Sequence, residues 1–373
     1  MGKNLVTSEI FINARFLTQS ITGVQRYAHE LVKALDDLIG QGEIDKAKYR
    51  FTLLSPGKGI KHDLGLKHIP LRQVGYLTGH AWEQMELPFY TAGGLLISLC
   101  NTAPLLKNSQ IVTIHDAGVF GFPQSYSLAF RTWYKLLFAV LGKNAKRIIT
   151  VSSFSKRELI GYCKINEEKI HVIYLGKEHF LNLEPDNSIL TKYNLTNKHY
   201  VFAVSSMSLH KNFGALVRAV EYLGTDTDFI VVIAGGANPK VFSSGVRLPG
   251  NVCYVGYLND NQLRALYENA ACFVFPSLYE GFGLPPLEAM ACRCPVIVSD
   301  TASLPEVCGD AALYCDPENP DDIAGKIRQV ITDESLRQTL REKGLARAEQ
   351  FTWEECARKT LAVIEKVLTD RKQ

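Results

Sequence analysis

Tyr279-Glu280-Gly281-Phe282-Gly283-Leu284-Pro285-Pro286-Leu287-Glu288-Ala289-Met290-Ala291 is the stretch that decides how the chain is read. It follows Ala271-Cys272-Phe273-Val274-Phe275-Pro276, an apolar run too short for a buried helix, which reads as a strand entering a turn at Pro276-Ser277. Glu280 therefore sits at the carboxyl end of a strand, and Glu288 lies eight residues further on. Gly281 and Gly283 admit positive φ and close backbone approach, while Pro285 and Pro286 suit the first turn of a helix running through Leu287 to Ala291. Such a helix start turns free N–H groups and its positive dipole end toward whatever lies beyond the strand, where a phosphate is favoured. Two carboxylates cannot hold a phosphate; beside one, they suit accepting hydrogen bonds from the hydroxyls of a ribose or sugar ring. On spacing alone, an ordinary strand–turn–helix with two solvated or capping acids fits equally well.

The totals narrow the setting. A chain of 373 residues exceeds one ordinary core, so two domains are expected. Hydrophobic residues at 46% and charged residues at 21% describe a soluble globular protein, and a net charge of +3 argues against a dedicated nucleic-acid binder. Nine cysteines show no Cys-x-x-Cys and no Cys/His spacing of the zinc type, Cys292-x-Cys294 is assigned to packing, and a reducing cytoplasm fits best. The stretch Met1 to Glu9 has no apolar core of a signal peptide, and no run reaches the ~18–20 apolar residues of a membrane span.

Outward from the central stretch, strands and helices alternate. Glu9-Ile10-Phe11-Ile12-Asn13 reads as a first strand, and Gly23 to Val32 has helical apolar spacing. Gly23 thus falls at a strand-to-helix turn, where open α/β sheets bind ligands, although a plain tight turn fits too. The continuous apolar runs Leu95–Leu99 and Gln110–Ile114 have the look of parallel strands covered on both faces. The second ends at His115-Asp116. A lone histidine there more often has a structural role; Asp116 suits either fixing the ring's tautomer or capping the next turn. Trp82 is read as an aromatic anchor, with no chemistry assigned. Ser125 to Leu141 is an amphipathic helix whose Phe130, Trp133, Tyr134 and Phe138, with Lys143, Lys146 and Arg147 after it, suit a core helix better than an anionic membrane surface. Ser155-x-x-Glu158 has capping-box spacing, and the region from Lys58 to Tyr76 is poorly patterned.

The Asn-rich stretch 176–198 reads as a linker, after which alternation restarts at His199 to Val204. Lys211 at the next helix start works against the dipole unless it has an anionic partner such as phosphate; a solvated lysine is the alternative. Three helices, 320–332, 334–350 and 353–368, close the chain.

Glu280-x7-Glu288 within "EGFGLPPLEAMA" resembles the signature of family-4 glycosyltransferases, retaining enzymes of the GT-B fold that use sugar nucleotides. "TGVQRYAHEL", "TIHDAGVF", the "GYL" turn and "FTWEECARKTLAVIEKVL" resemble further segments of that family in the right order. The resemblance implies an α/β protein with two Rossmann-like domains facing across a cleft: 1–178 on the acceptor side, 179–352 on the nucleotide-sugar donor side, and a helix 353–373 packing back on the first. It implies that His115, Lys211 and Glu280 serve catalysis near the reacting sugar and diphosphate. Gly23, Tyr257, Gly283, Leu284 and Glu288 would then bind the donor, with Glu288 on the ribose and Tyr257 near the base. Where the family usually has an arginine five residues before the lysine, this chain has Ser206, which removes a fixed bidentate cation; His210 is a candidate to compensate.

The activity implied is transfer of a hexose from a nucleoside diphosphate sugar, without cofactor or metal, to a glycan or lipid-linked acceptor of cell-surface polysaccharide assembly. The "WEQ" segment at Trp82-Glu83-Gln84 resembles mannosyltransferases and favours GDP-mannose. The partners implied are a nucleotide sugar and that acceptor, not nucleic acid, in the cytoplasm, with peripheral contact at the inner membrane face left open. A nucleotide-sugar 2-epimerase or a non-catalytic binder on the same fold is the alternative. A glycosidase built on Glu280 and Glu288 fits worst, because both flank a phosphate-type loop.

Overall fold

The computed structural model describes residues 7–204, 208–224, 229–235 and 250–370. The chain divides into two units: Met1–Gly121, Tyr126–Gly176 and Thr352–Gln373 form the first, Phe122–Ser125 and Lys177–Phe351 the second.

The first unit holds a parallel sheet of β1 (Ser8–Asn13), β2 (Tyr49–Pro56), β3 (Leu71–Val74), β4 (Leu95–Ser98), β5 (Gln110–Thr113), β6 (Arg147–Thr150) and β7 (Ile170–Val172). Its order is β3-β2-β1-β4-β5-β6-β7. The second holds β8 (Tyr200–Val204), β9 (Ile230–Ala234), β10 (Val252–Gly256), β11 (Cys272–Phe275), β12 (Val296–Ser299) and β13 (Ala312–Cys315). These are also parallel, in the order β10-β9-β8-β11-β12-β13. Every residue of β4, β5, β11 and β12 is buried, which is why these strands appear in the sequence as unbroken apolar runs. Strand order reverses between β1 and β4 in one sheet and between β8 and β11 in the other. Beyond the carboxyl ends of such strand pairs a crevice forms where ligands bind.

Helix Gly23–Gly40 is buried around most of its circumference, with every residue from Tyr27 to Val32 enclosed, then Ala34, Leu35, Asp36, Leu38 and Ile39. Helix Trp353–Asp370 returns to the same unit: Arg358 Nη2 pairs with Glu43 Oε1 at 2.8 Å, Tyr49 Oη donates to Glu365 Oε1 at 2.8 Å, and the Trp353 ring lies 6.2 Å from Tyr27. In the second unit Phe202, Tyr267 and Phe273 meet edge-on, with centroids 5.1 Å apart for Tyr267 against each phenylalanine.

Several local expectations are corrected. The poorly patterned region contains β3, an edge strand with three of its four residues exposed, so it shows no apolar alternation. The amphipathic helix begins at Leu128, capped by Ser127, after a short turn at Pro123–Ser125. Helix Ser153–Cys163 is capped by Ser152, whose Oγ accepts from the Ser155 amide at 3.0 Å, so the Ser155 capping box is not used. The stretch 176–198 contains helices Glu178–Leu181 and Ser188–Lys192 with Phe180, Ile189, Leu190 and Leu195 buried. Among the described residues no helix is long and apolar enough to cross a membrane.

Candidate functional site

At the switch point of the second sheet, β8 leads to a turn at Leu209–Lys211. Asn212 then takes a left-handed conformation with φ 57° before helix Phe213–Leu223. Its side-chain amide donates to the carbonyls of Pro276 at 3.0 Å and Pro317 at 2.7 Å, tying the loops after β8, β11 and β13 together. The Leu278 amide donates to the His210 carbonyl at 2.8 Å, a second tie between the first two loops. This framework brings Lys211 Nζ to 2.6 Å from Glu280 Oε1, with the ammonium 5.1 Å from the Phe275 ring centre. Ser277 Oγ also donates to Glu280 Oε1 at 2.6 Å. Ser303 Oγ lies 2.9 Å from the carbonyls of both Glu280 and Phe282 and holds the loop from the far side. The side chains of Lys211 and Glu280 keep 22% and 11% of their surface exposed, so the pair is within reach of a ligand.

Gly283 has φ 102°, a backbone that other residues adopt only with strain, and a Cβ there would lie 2.7 Å from Leu304 Cδ2. That turn launches helix Leu284–Ala291; Pro285 and Pro286 carry no N–H and the Leu287 amide donates to the Gly283 carbonyl at 3.4 Å, so Leu284 supplies the one first-turn amide without an intrahelical partner. Glu288 on this helix is bound by His179, Nε2 to Oε1 at 3.1 Å. His210 is held by Ser125 Oγ, 3.2 Å from its Nδ1, and packs edge-on to Phe122. Burial, then the Lys211 charge, lower its pKa below the ordinary imidazole value, so it is neutral and replaces no guanidinium charge. Ser206 lies outside the described residues. Tyr257 is 77% exposed and follows Gly256.

In the first unit Gly23 is the first residue of its helix, and the Gln25 side chain accepts from the Thr22 amide at 3.3 Å. A Cβ on Gly23 would meet nothing within 4 Å. His115 is 6% exposed; its amide donates to Asn101 Oδ1 at 2.7 Å and its Nε2 lies 3.0 Å from the Leu99 carbonyl. A carbonyl only accepts, so Nε2 carries the proton and Nδ1 is left as an acceptor. Burial lowers the pKa to about 4, and the ring is neutral at pH 7. Asp116 accepts from the Gly118 amide at 2.8 Å, so the turn-capping role is observed.

Beyond Asn212 and His179 in the second unit, two features of the first unit escaped the sequence. Asn101, which accepts from the His115 backbone amide, has φ 63°, and a single asparagine gives little warning of such a role. The other is a buried polar network at the switch point between β1 and β4. Glu83 Oε1 accepts from Asn13 Nδ2 at 2.7 Å and Thr102 Oγ1 at 2.9 Å, and pairs with Arg15 Nε at 3.3 Å. Arg15 Nη2 in turn donates to Thr102 at 2.8 Å, and His80 Nδ1 lies 3.4 Å from Glu83 Oε2. Burial alone would push the Glu83 carboxyl up; the hydrogen bonds and charges of His80, Arg15, Asn13 and Thr102 outweigh it and bring the pKa below the usual glutamate value. The only signal was the "WEQ" segment itself.

Comparison with known proteins agrees with this architecture. Residues 187–347 match the family described as glycosyl transferases group 1, and residues 90–177 match Glycosyltransferase Family 4. The O-antigen chain mannosyltransferase B of Escherichia coli is 34% identical over 91% of this chain and 95% of its own length. Among solved structures, sucrose-phosphate synthase of Thermosynechococcus elongatus superposes with a TM-score of 0.74 at 19% identity, covering 98% of this chain and 100% of that one. HepE from Anabaena, solved with UDP and glucose, superposes with a TM-score of 0.72 at 17% identity over 97% of this chain and 100% of its own. These two likenesses establish the fold, and the 34% identity along nearly the whole chain establishes the kinship: the protein belongs to the family-4 glycosyltransferases and carries their GT-B fold.

Proposed function

We propose that this enzyme transfers mannose from GDP-mannose to a hydroxyl of a growing polysaccharide or lipid-linked oligosaccharide, with retention of anomeric configuration. The observation that carries the proposal is the Lys211–Glu280–Ser277 cluster at the second switch point, followed directly by a helix start at Gly283 and by Glu288 on that helix. Glu288 takes the ribose hydroxyls. The diphosphate takes Lys211 and the amides of Gly283 and Leu284, exchanging with Glu280 as the partner of the ammonium. Glu280, released, accepts hydrogen bonds from the donor sugar.

As the glycosidic bond breaks, negative charge collects on the departing diphosphate; a preorganised cation and aligned amides act on that charge most strongly in the transition state. His115, neutral with Nδ1 as acceptor, suits a sugar hydroxyl, and Gly23 leaves its helix start open to a close phosphate approach. Tyr257, exposed beside its glycine turn, is free to stack on the nucleotide base, and His210 contributes a neutral hydrogen-bonding group near Lys211. Mannose follows from the Escherichia coli relative's activity and from the "WEQ" segment.

For the acceptor, helix Leu128–Asn144 exposes Leu128, Phe130 and Leu136 near Arg131 and Lys135, a surface compatible with peripheral contact to a lipid-linked substrate. Its opposite side, with Leu137, Phe138 and Leu141, is core.

The test is incubation of the protein with labelled GDP-mannose, UDP-glucose and related donors, with and without glycan acceptors. Acceptor-dependent release of nucleoside diphosphate supports transfer. An isomerised sugar released without acceptor points instead to an epimerase, and binding without turnover to a non-catalytic protein.

A further inference from the structure

We propose that His179 is a positioning residue that fixes the Glu288 carboxylate for its ribose contact; this rests on the assignment of Glu288 to the ribose made above. His179 lies 109 positions from Glu288 in sequence, yet its Nε2 stands 3.1 Å from Glu288 Oε1. Its side chain is 2% exposed, against 12% for Glu288. A carboxylate only accepts, so Nε2–H is the donor and the ring's orientation is set by this bond. Oε1 thus has one acceptor site taken, and among the described residues no partner holds Oε2, which is open to a ligand.

The support behind His179 is rigid. Phe180, 1% exposed, packs edge-on against Tyr267 at 5.5 Å, and Arg264 Nη1 donates to the Leu181 carbonyl at 2.7 Å, anchoring the segment to helix Asp260–Asn269. A glutamate carries three side-chain torsions, and holding it in one rotamer before the ligand arrives removes an ordering cost from binding. That saving, on the order of 0.7–1.4 kcal/mol for one immobilised side chain, converts to an affinity change of roughly three- to tenfold. Because the segment lies at the amino-terminal edge of the second unit, no motif near Glu280 or Glu288 points to it.

The experiment is calorimetric titration of the whole chain with GDP and UDP, and with the 2′,3′-dideoxy form of each. His179→Ala is expected to weaken the better-bound ribonucleotide about three- to tenfold and to leave its dideoxy form unchanged. His179→Gln, whose amide can still donate, is expected to recover most of the loss, and the double variant with Glu288→Ala to bind no more weakly than Glu288→Ala alone. If His179→Ala fails to fold, His179→Asn, whose amide falls short of the carboxylate, replaces it. Equal weakening of both nucleotide forms, no weakening of either, or additive losses in the double variant overturns the role of His179. A Glu288→Ala protein that discriminates ribose from dideoxyribose as well as the wild type, or a wild type that does not discriminate, instead overturns the ribose assignment of Glu288, and the inference with it.

Discussion

The two sheets each place an ion pair at the reversal of strand order, and the two pairs are built in opposite ways. Arg15–Glu83 in the first sheet is sealed, with side chains 8% and 1% exposed and further partners in Asn13, Thr102 and His80. Lys211–Glu280 in the second is accessible, its lysine able to reach a ligand and its carboxylate backed by Ser277. A sealed pair stays as it is: removing one member strands a charge in the interior. An accessible pair holds two charges ready for exchange, so its loss falls on chemistry more than on folding. The same topological place thus supplies a fixed brace in one unit and a replaceable counter-ion in the other.

Four variants or conditions test that contrast, in descending size. Glu83→Ala, which leaves the Arg15 guanidinium buried without its carboxylate, is expected to cost about 3–5 kcal/mol of stability in denaturant unfolding. A loss below 1 kcal/mol would break the contrast at its sealed end. Lys211→Ala is expected to lower kcat by about 10²–10³ while the unfolding midpoint moves little; steady-state kinetics beside a melt checks both, and a large drop in stability with intact turnover would reverse the assignment.

The third concerns His115. Its folded pKa, about 4, is below the unfolded value near 6.5. The unfolded chain therefore binds the extra proton between those values, and stability is lost as pH falls through that window. The loss is about 2 kcal/mol between pH 7 and pH 5. Urea midpoints at the two pH values should show this slope in the wild type and a smaller one in His115→Gln. Gly23→Ala has the smallest effect on folding, within about 0.5 kcal/mol, because the added methyl meets nothing. Activity assays should nonetheless show weakened transfer; full activity would return Gly23 to an ordinary helix start.

The sequence revealed what is local or strongly patterned. Buried parallel strands such as Phe273 to Phe275 appear as continuous apolar runs because helices cover both their faces. The Gly283 turn was legible because left-handed backbone leaves glycine as the residue of choice. By contrast, β3 exposes most of its side chains and offers no alternation to detect. Glu83 was missed because a glutamate beside a tryptophan has the look of an exposed helix position until Asn13, Arg15 and Thr102 arrive from distant segments to enclose it. His179 and Asn212 escaped for the same reason: each works through one contact across long sequence separation, a relation that periodicity does not record.

The return of helix Trp353–Asp370 to the first unit bears on biosynthesis. Synthesis runs from the amino terminus, so the first unit lacks the partners of Tyr27, Glu43 and Tyr49 until helix Trp353–Asp370 has emerged from the ribosome. The middle of the polypeptide is complete before its beginning is. A nascent chain, or one truncated before Trp353, therefore displays the uncovered face of helix Gly23–Gly40, an address for chaperones and proteases, and loss of helix Trp353–Asp370 should be felt first around Tyr27, Glu43 and Tyr49.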